Sequence, residues 1–258
     1  MTVDARTLLN RAFDKRALVQ DSAFLATLGV LEARLVKNFD GLDKVGRALA
    51  MRGQSDQLHM KHDKNGLSDH DHFIVVTLKE RPDETLALCR LSLSERLNVS
   101  ENFKTAGLVG DFEVQVNQKE PCFLTISPFE FTETLKVHRA QALLWHAIAQ
   151  YCALYDVDYV VGSLAFNSRY PAAYALELSY LYHFCRAQSG LRAMAKNGVT
   201  MDIMPQEAIK PHEAFSALPP TLRYCLRLGA KVSENAIVDA LNNQTRIFLL
   251  FPARTMRP

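Results

Sequence analysis

Hydrophobic and polar positions along this chain alternate with two periods, and the switches between them lay out a succession of strands and helices. Leu31-Glu32-Ala33-Arg34-Leu35-Val36 carries apolar residues at alternate positions, the mark of a strand with one buried face. Leu42, Val45 and Leu49 then recur at helical spacing, so a helix is expected from Asp40, as its cap, to about Arg52. A polar loop covers residues 53–71. Residues 72–78 and 85–93 read as strands joined by a turn over 79–84, where Arg81-Pro82-Asp83 supplies the turn chemistry. Residues 122–131 are extended, but Pro128 has no amide for a ladder, so the strand must end, bulge or lie at an edge there.

An apolar stripe of Leu143, Leu144, Ala147, Ile148, Tyr151 and Leu154 predicts a long helix over 137–155, followed by a strand over 159–164. A helix from Pro171 to about Cys185 comes next, its proline fitting the first turn. After Leu218-Pro219-Pro220 the pattern predicts a helix ending near Gly229 and short strands at 236–240 and 246–251. Residues 1–28 read as a helical extension, 29–258 as a single domain, and 94–120 carry no clear period. The order of elements makes the fold mixed α/β around a central sheet.

Composition changes this picture only at its margins. With 48% hydrophobic and 22% charged residues the chain buries an ordinary core, which excludes a disordered class. A net charge of +2 gives no basic surface of nucleic-acid scale. Arg223, Arg227, Lys231, Arg246, Arg254 and Arg257 nevertheless face only Glu234 and Asp239 from 223 onward. That excess suits an acidic partner protein or an anionic membrane surface as well as it suits a solvated basic face. The five cysteines (Cys89, Cys122, Cys152, Cys185 and Cys225) lack redox or zinc spacing and read as reduced core thiols. The N-terminal residues have no apolar signal core, and no run of about 18 uncharged apolar residues occurs. The expectation is a soluble cytoplasmic protein, with peripheral contact at the inner membrane face left open.

Three segments carry a resemblance. Leu143-Leu144-Trp145-His146-Ala147-Ile148, with Tyr159-Val160-Val161-Gly162-Ser163-Leu164-Ala165-Phe166, resembles the long helix and following strand of the ornithine lipid N-acyltransferases of the GNAT superfamily. Leu218-Pro219-Pro220, Leu226-Arg227-Leu228-Gly229-Ala230, Val238-Asp239 and Asn242 resemble that family's C-terminal block. Leu31-Glu32-Ala33-Arg34-Leu35 and Asp71-His72-Phe73-Ile74-Val75 look like its first strand and the entry to its second. The resemblance implies a GNAT acyltransferase fold, a central mixed sheet flanked by helices. In that fold two parallel strands splay apart, here 122–131 and 159–164, and the pantetheine arm of a thioester lies in the gap. It also implies an acyl carrier protein as partner, an amino acid such as ornithine as acceptor, a long-chain or 3-hydroxyacyl group as cargo, and no cofactor beyond the acyl-carrier or acyl-CoA co-substrate. The donor phosphate is expected at the start of the long helix, near Lys136, His138 and Arg139, where unpaired amides and the helix dipole favour an anion.

The chain departs from the family between its extended segment and long helix. Phe129-Glu130-Phe131-Thr132-Glu133-Thr134-Leu135 lacks the family's Gly, Arg and Cys in that run, and no glycine-rich pyrophosphate turn is present. In the first helix, Ala50 stands where an arginine is expected. An N-acyl amino acid or acyl-homoserine lactone synthase on the same scaffold, and a catalytically silent module that binds acyl chains or carrier protein, are therefore kept as alternatives.

Amine acylation by a thioester needs positioning and one general base. Glu130, at the end of the interrupted strand, is the first candidate, set against a plain surface glutamate; His72, beside Asp71, is the second. Strand neighbours point to opposite faces, so Asp71 is poorly placed to hold His72 directly. Asp71, Arg90 and Ser163 are candidate substrate-binding residues, Arg90 because an interior arginine needs an anion such as a substrate carboxylate. His59, His62, Asp63, Asp69, His70, Asp71 and His72 have irregular spacing and no His-Glu-x-x-His, so they read as a solvated loop and no metal is assigned. Ser163 and Ser179 lack a nucleophile elbow, and no nucleotide-binding glycine motif occurs. Tyr174, Tyr180, Tyr182 and Phe184 are either core or the wall of an acyl tunnel.

Overall fold

A computed structural model describes residues 22–55, 71–94, 103–104, 112–116, 121–132, 137–187 and 191–256. Its centre is a large mixed sheet whose main path runs β1 (Ser22–Leu28), β2 (Leu31–Val36), β3 (Asp71–Leu78), β4 (Ala87–Leu93), β7 (Phe123–Ile126), β9 (Tyr159–Phe166), β14 (Gln244–Pro252), β13 (Asn235–Asp239) and β11 (Val199–Thr200). Neighbours on this path are antiparallel except β7 and β9, which run parallel. The short β8 (Glu130–Phe131) pairs with β4, and β12 (Lys231–Val232) with β14. A second sheet, in the order β10 (Leu191–Ala195), β6 (Phe112–Val116), β5 (Phe103–Lys104), lies over part of one face.

The helices are α1 (Lys44–Ser55), α2 (Val137–Leu154), α3 (Ala175–Tyr180), α4 (Pro211–Ala217) and α5 (Pro220–Arg227). Helix α2 lays its apolar stripe across β1, β2 and β3, where Leu143, Leu144, Ala147, Ile148 and Tyr151 are fully or nearly buried. Together with β4, β7, β9, β14 and α5 they form the main core. The opposite face of the sheet holds two smaller cores. One packs α1 on Phe73, Val75 and Leu88; the other packs the second sheet on Phe123, Val161, Phe248 and Leu250.

Several expectations need correction. The helical reading of 1–28 fails at its end, because Ser22–Leu28 is a strand paired with β2; residues 1–21 lie outside the described residues. Phe24 and Leu28 of that strand are exposed, so the period-two signal is weak there. Asp43 caps α1 in place of Asp40, accepting the Gly46 amide at 2.7 Å. Its other carboxylate oxygen accepts the Thr85 amide at 3.0 Å, tying the helix start to the turn before β4. Burial works against this charge, yet the Thr85 and Gly46 hydrogen bonds hold the Asp43 carboxyl below its ordinary range. Leu42 and Leu49 face the core as expected, while Val45 is exposed. The helix from Pro171 is compound, with a 3₁₀ turn over Pro171–Tyr174 and a π turn over Leu181–Cys185 around α3. All five cysteines are buried and free, as core thiols should be. No helix among the described residues is long and apolar enough to cross a membrane.

Candidate functional site

β7 and β9 pair in parallel over Phe123↔Tyr159, Leu124↔Val160 and Thr125↔Val161, and then part. β9 continues to Phe166 paired only with β14 among the described residues. β7 turns away to stay with β4. The Ser127 amide donates to the Arg90 carbonyl at 2.9 Å, and the Arg90 amide donates to Ser127 Oγ at 2.9 Å. This is where the Pro128 reading acquires its geometry. Arg90 faces Ser127 and Leu88 faces Glu130, so the outer strand carries one residue more than β4 between those pairs. The result is a bulge, which shifts the side-chain parity of everything after it. Glu130 therefore shares the face of Leu88, under α1, while Phe129 and Phe131 point to the α2 side.

The space left by the parting strands is a cavity of about 390 Å³. β7 and the bulge supply Ile126, Pro128 and Phe129; β9 supplies Gly162 and Leu164; α2 supplies Gln141 and Trp145. Pro219, Thr221 and Cys225 of the Leu-Pro-Pro block close it, with Leu249 and Phe251 of β14. Trp145 forms part of its wall, its ring centroid 5.1 Å from those of both Phe129 and Phe251 and its ring stacked on Tyr224. Gly162 sits at the neck of the gap, where a side chain would crowd Ile126. A Cβ there would lie 3.2 Å from Ile126 Cγ1 and 3.3 Å from the Ile126 carbonyl oxygen. Burial pushes the Cys225 thiol up to about 12, so it lines the cavity as a neutral group rather than a nucleophile.

On the other face of the same sheet the register aligns most of the sequence-predicted polar residues. Asp71 and Arg90 are both buried, with Asp71 Oδ2 3.8 Å from Arg90 Nε. Arg90 lies on the face of Phe73 and Leu88, and Ser92, one step along that face, is opposite Thr125 of β7. Ser163 of β9 belongs to this face too, opposite Phe248 and 3.4 Å from Arg246 Nη2. Arg246 in turn approaches Asp239 at 3.9 Å. By strand parity Asp71, Arg90, Glu130 and Ser163 share one face at the split; the cavity lies mainly on the other, and Ser163 also borders it.

His72 does not join them. It points to the α2 side, where its Nδ1 and the Tyr151 hydroxyl share a hydrogen bond of 2.8 Å and its ring abuts Tyr155. Tyr151 is two helical turns or so beyond Trp145, about 9 Å along the axis, so His72 is remote from the cavity. Strand parity separates it from Asp71, as anticipated. Burial raises the Tyr151 phenol far above its ordinary range, which keeps its hydroxyl protonated.

His138 and Arg139 are exposed in the first turn of α2, while Lys136 lies outside the described residues. So do His59, His62, Asp63, Asp69 and His70; the two described members of that cluster, Asp71 and His72, face opposite sides of the sheet. Tyr174, Tyr180, Tyr182 and Phe184 do not wall the cavity. Tyr174 packs on Phe166, and Tyr180 stacks on Phe184. The residues missed from sequence are Gln141, Trp145, Phe129, Cys225 and Phe251. One signal was available for Gln141, a polar residue one turn before Trp145 on an otherwise apolar helix face.

No protein-family model matches the chain. It is 25% identical over 243 residues to the L-ornithine N(alpha)-acyltransferase of Agrobacterium fabrum, covering 89% of this chain and 83% of that protein. The Brucella abortus protein of the same name is 37% identical over 116 residues, 44% of this chain and 41% of its own length. The one from Rhodobacter capsulatus is 33% identical over 117 residues, 45% of each. In these two matches the chain spans less than half the length of its curated relatives. Among solved structures, the nucleotide-linked sugar GNAT FdhC is 8% identical at a TM-score of 0.38, covering 88% of this chain and 89% of that one. The AHL synthase LasI is 10% identical at a TM-score of 0.38, covering 85% and 89%. The chain is a divergent relative of the bacterial L-ornithine N(alpha)-acyltransferases, with an α/β fold built on a mixed sheet that splits between β7 and β9.

Proposed function

We propose that the protein is an N-acyltransferase that moves a long-chain acyl group from a thioester to the α-amine of ornithine. The observation that carries this reading is the parting of β7 from β9 around an apolar cavity, in a chain similar to ornithine acyltransferases over most of its length. The donor enters the cavity with its thioester carbonyl at the neck between Ile126 and Gly162. The amine approaches from the face that carries Glu130, Arg90, Asp71 and Ser163.

On that face Arg90, oriented by Asp71, takes the acceptor's carboxylate, and Ser163 lies beside the reacting centre. Glu130 accepts the proton that the amine loses as its nitrogen bonds the carbonyl carbon. The carbon–sulfur bond then breaks and the departing sulfur takes up a proton as the free thiol. Positioning supplies most of the remaining acceleration. The donor is an acyl carrier protein rather than CoA, because residues 129–135 offer no glycine turn for a pyrophosphate. A single phosphate suits the α2 N-terminus with His138 and Arg139 in its first turn.

Purified protein is incubated with acyl-carrier protein or acyl-CoA and a panel of amines, and products are identified by mass spectrometry. N-acylornithine from the carrier-protein donor is the expected result. No N-acyl product with any amine overturns the reading and leaves a silent binding module. Product with another amino acid or with a homoserine lactone precursor reassigns the acceptor.

A further inference from the structure

Two hydrogen-bond donors in the cavity wall have nothing to bond. Gln141 and Trp145 sit one turn apart on α2, and both side chains line the cavity. Gln141 is 9% and Trp145 5% exposed, and neither Gln141 Nε2 nor Trp145 Nε1 has a hydrogen-bond partner. Buried polar groups are paired as a rule, so an unpaired couple in one wall calls for an acceptor that arrives from outside. Ser127, Ser163, Asn167, Thr221 and Gln244 also line the cavity, yet neither donor is bonded to any of them. A hydrocarbon tail packed at this level would leave both buried donors unpaired, whereas a segment that carries carbonyl oxygens satisfies them.

Position along the helix sharpens the point. Gln141 lies about 6 Å and Trp145 about 12 Å from the start of α2 along its axis. A chain anchored by its phosphate at that start and running into the cavity passes Gln141 first and Trp145 next. Pantetheine is such a chain, with amide carbonyl oxygens along its length and the thioester carbonyl at its end.

We propose that Gln141 and Trp145 are the polar anchors of the donor. Their side-chain N–H groups donate to carbonyl oxygens of the pantetheine thioester arm, and the acyl tail lies deeper, among the apolar residues. This rests on the acyl-transfer reading above and goes beyond it by assigning the residues that hold the arm. Both act as positioning residues: they fix the carbonyl at the neck of the gap and take no part in proton transfer.

Trp145 is the single tryptophan of the chain, so its emission reports filling of the cavity without any need for turnover. The full-length protein is titrated with decanoyl-pantetheine and with S-decyl-pantetheine, which lacks the thioester oxygen, and affinities are confirmed by calorimetry. Gln141→Met is expected to weaken decanoyl-pantetheine about tenfold, the value of one net hydrogen bond of this kind. Trp145→Phe, followed by calorimetry alone, is expected to do the same. The melting temperature of free Gln141→Met should equal or exceed that of the wild type, because an unpaired buried donor has been removed; a structural glutamine would give a lower one. If the thioether analogue is weakened equally, the oxygen bound is an amide's; if only the thioester is weakened, it is the reacting carbonyl's. Wild-type binding that neither substitution weakens overturns the anchor assignment and leaves the acyl-transfer reading standing. No binding of either probe to the wild type overturns both.

Discussion

The two faces of the sheet at the point where β7 leaves β9 are built on opposite principles. On the α2 side the lining is mainly apolar and aromatic, and two donors in it, Gln141 Nε2 and Trp145 Nε1, have no hydrogen-bond partner. On the α1 side charges come in pairs, Asp71 with Arg90 and Asp239 with Arg246, and the polar residues hold one another in place. A face whose charges are paired suits a small charged acceptor that exchanges one partner for another. A face that leaves donors unpaired is incomplete until a ligand fills it. The bulge at Pro128 sets the division, because the one-residue shift puts Glu130 on the α1 side and Phe129 and Phe131 on the α2 side, the reverse of what unbroken register would give.

The comparison breaks most decisively at Glu130. If the charged face supplies the base, Glu130→Gln lowers kcat by about 10²–10⁴-fold with little change in either KM. A loss of less than threefold in steady-state kinetics would move the base elsewhere. Next in size is the ion pair. Arg90→Met leaves the Asp71 carboxylate buried without its cation, and urea denaturation should show a loss of about 3–5 kcal/mol. Adding Asp71→Leu should recover most of the stability but not the affinity for ornithine. A double variant as unstable as Arg90→Met would mean that the pair is not the source of the loss.

The third effect is read against pH and concerns the cavity side and its core. Burial pushes the thiols of Cys89, Cys152 and Cys225 up to about 12 from 9.0. Raised values mean that the native state keeps protons the unfolded chain has already released. Stability is then fully present below pH 9 and falls as pH rises from there toward 12, by up to about 1.4 kcal/mol per unit for each thiol. Denaturation midpoints that stay constant from pH 8 to 10.5 would contradict this placement of the thiols.

Much of the fold was legible because its periods are long and clean. The stripe of α2 and the alternation of β2 follow from burial on one face, while β3 and β4 read as apolar runs because both their faces are covered. β1 was not legible, since exposed Phe24 and Leu28 hide its alternation, and the second sheet was lost because β5, β6 and β10 are short and far apart in the chain. In the site, Pro128 announced a disruption, and Asp71, Arg90, Glu130 and Ser163 were named from their chemistry. Which face each would occupy depends on a one-residue bulge and on long-range register, neither of which a local pattern carries. The side of the sheet to which His72 points followed from strand parity, but its partner Tyr151 lies 79 positions away in sequence. The missing partners of Gln141 and Trp145 belong to three dimensions alone.

The central claim is that donor and acceptor meet across the gap from opposite faces, and Gly162 tests it most directly. A side chain there enters the cavity side of the neck, 3.2 Å from Ile126, and touches nothing on the charged face. Two-substrate kinetics of Gly162→Ala should show the donor KM raised about tenfold, the value of one lost contact of about 1.4 kcal/mol, with the ornithine KM unchanged. An ornithine KM that rises as far as the donor's, or a donor KM that does not move, would contradict the account.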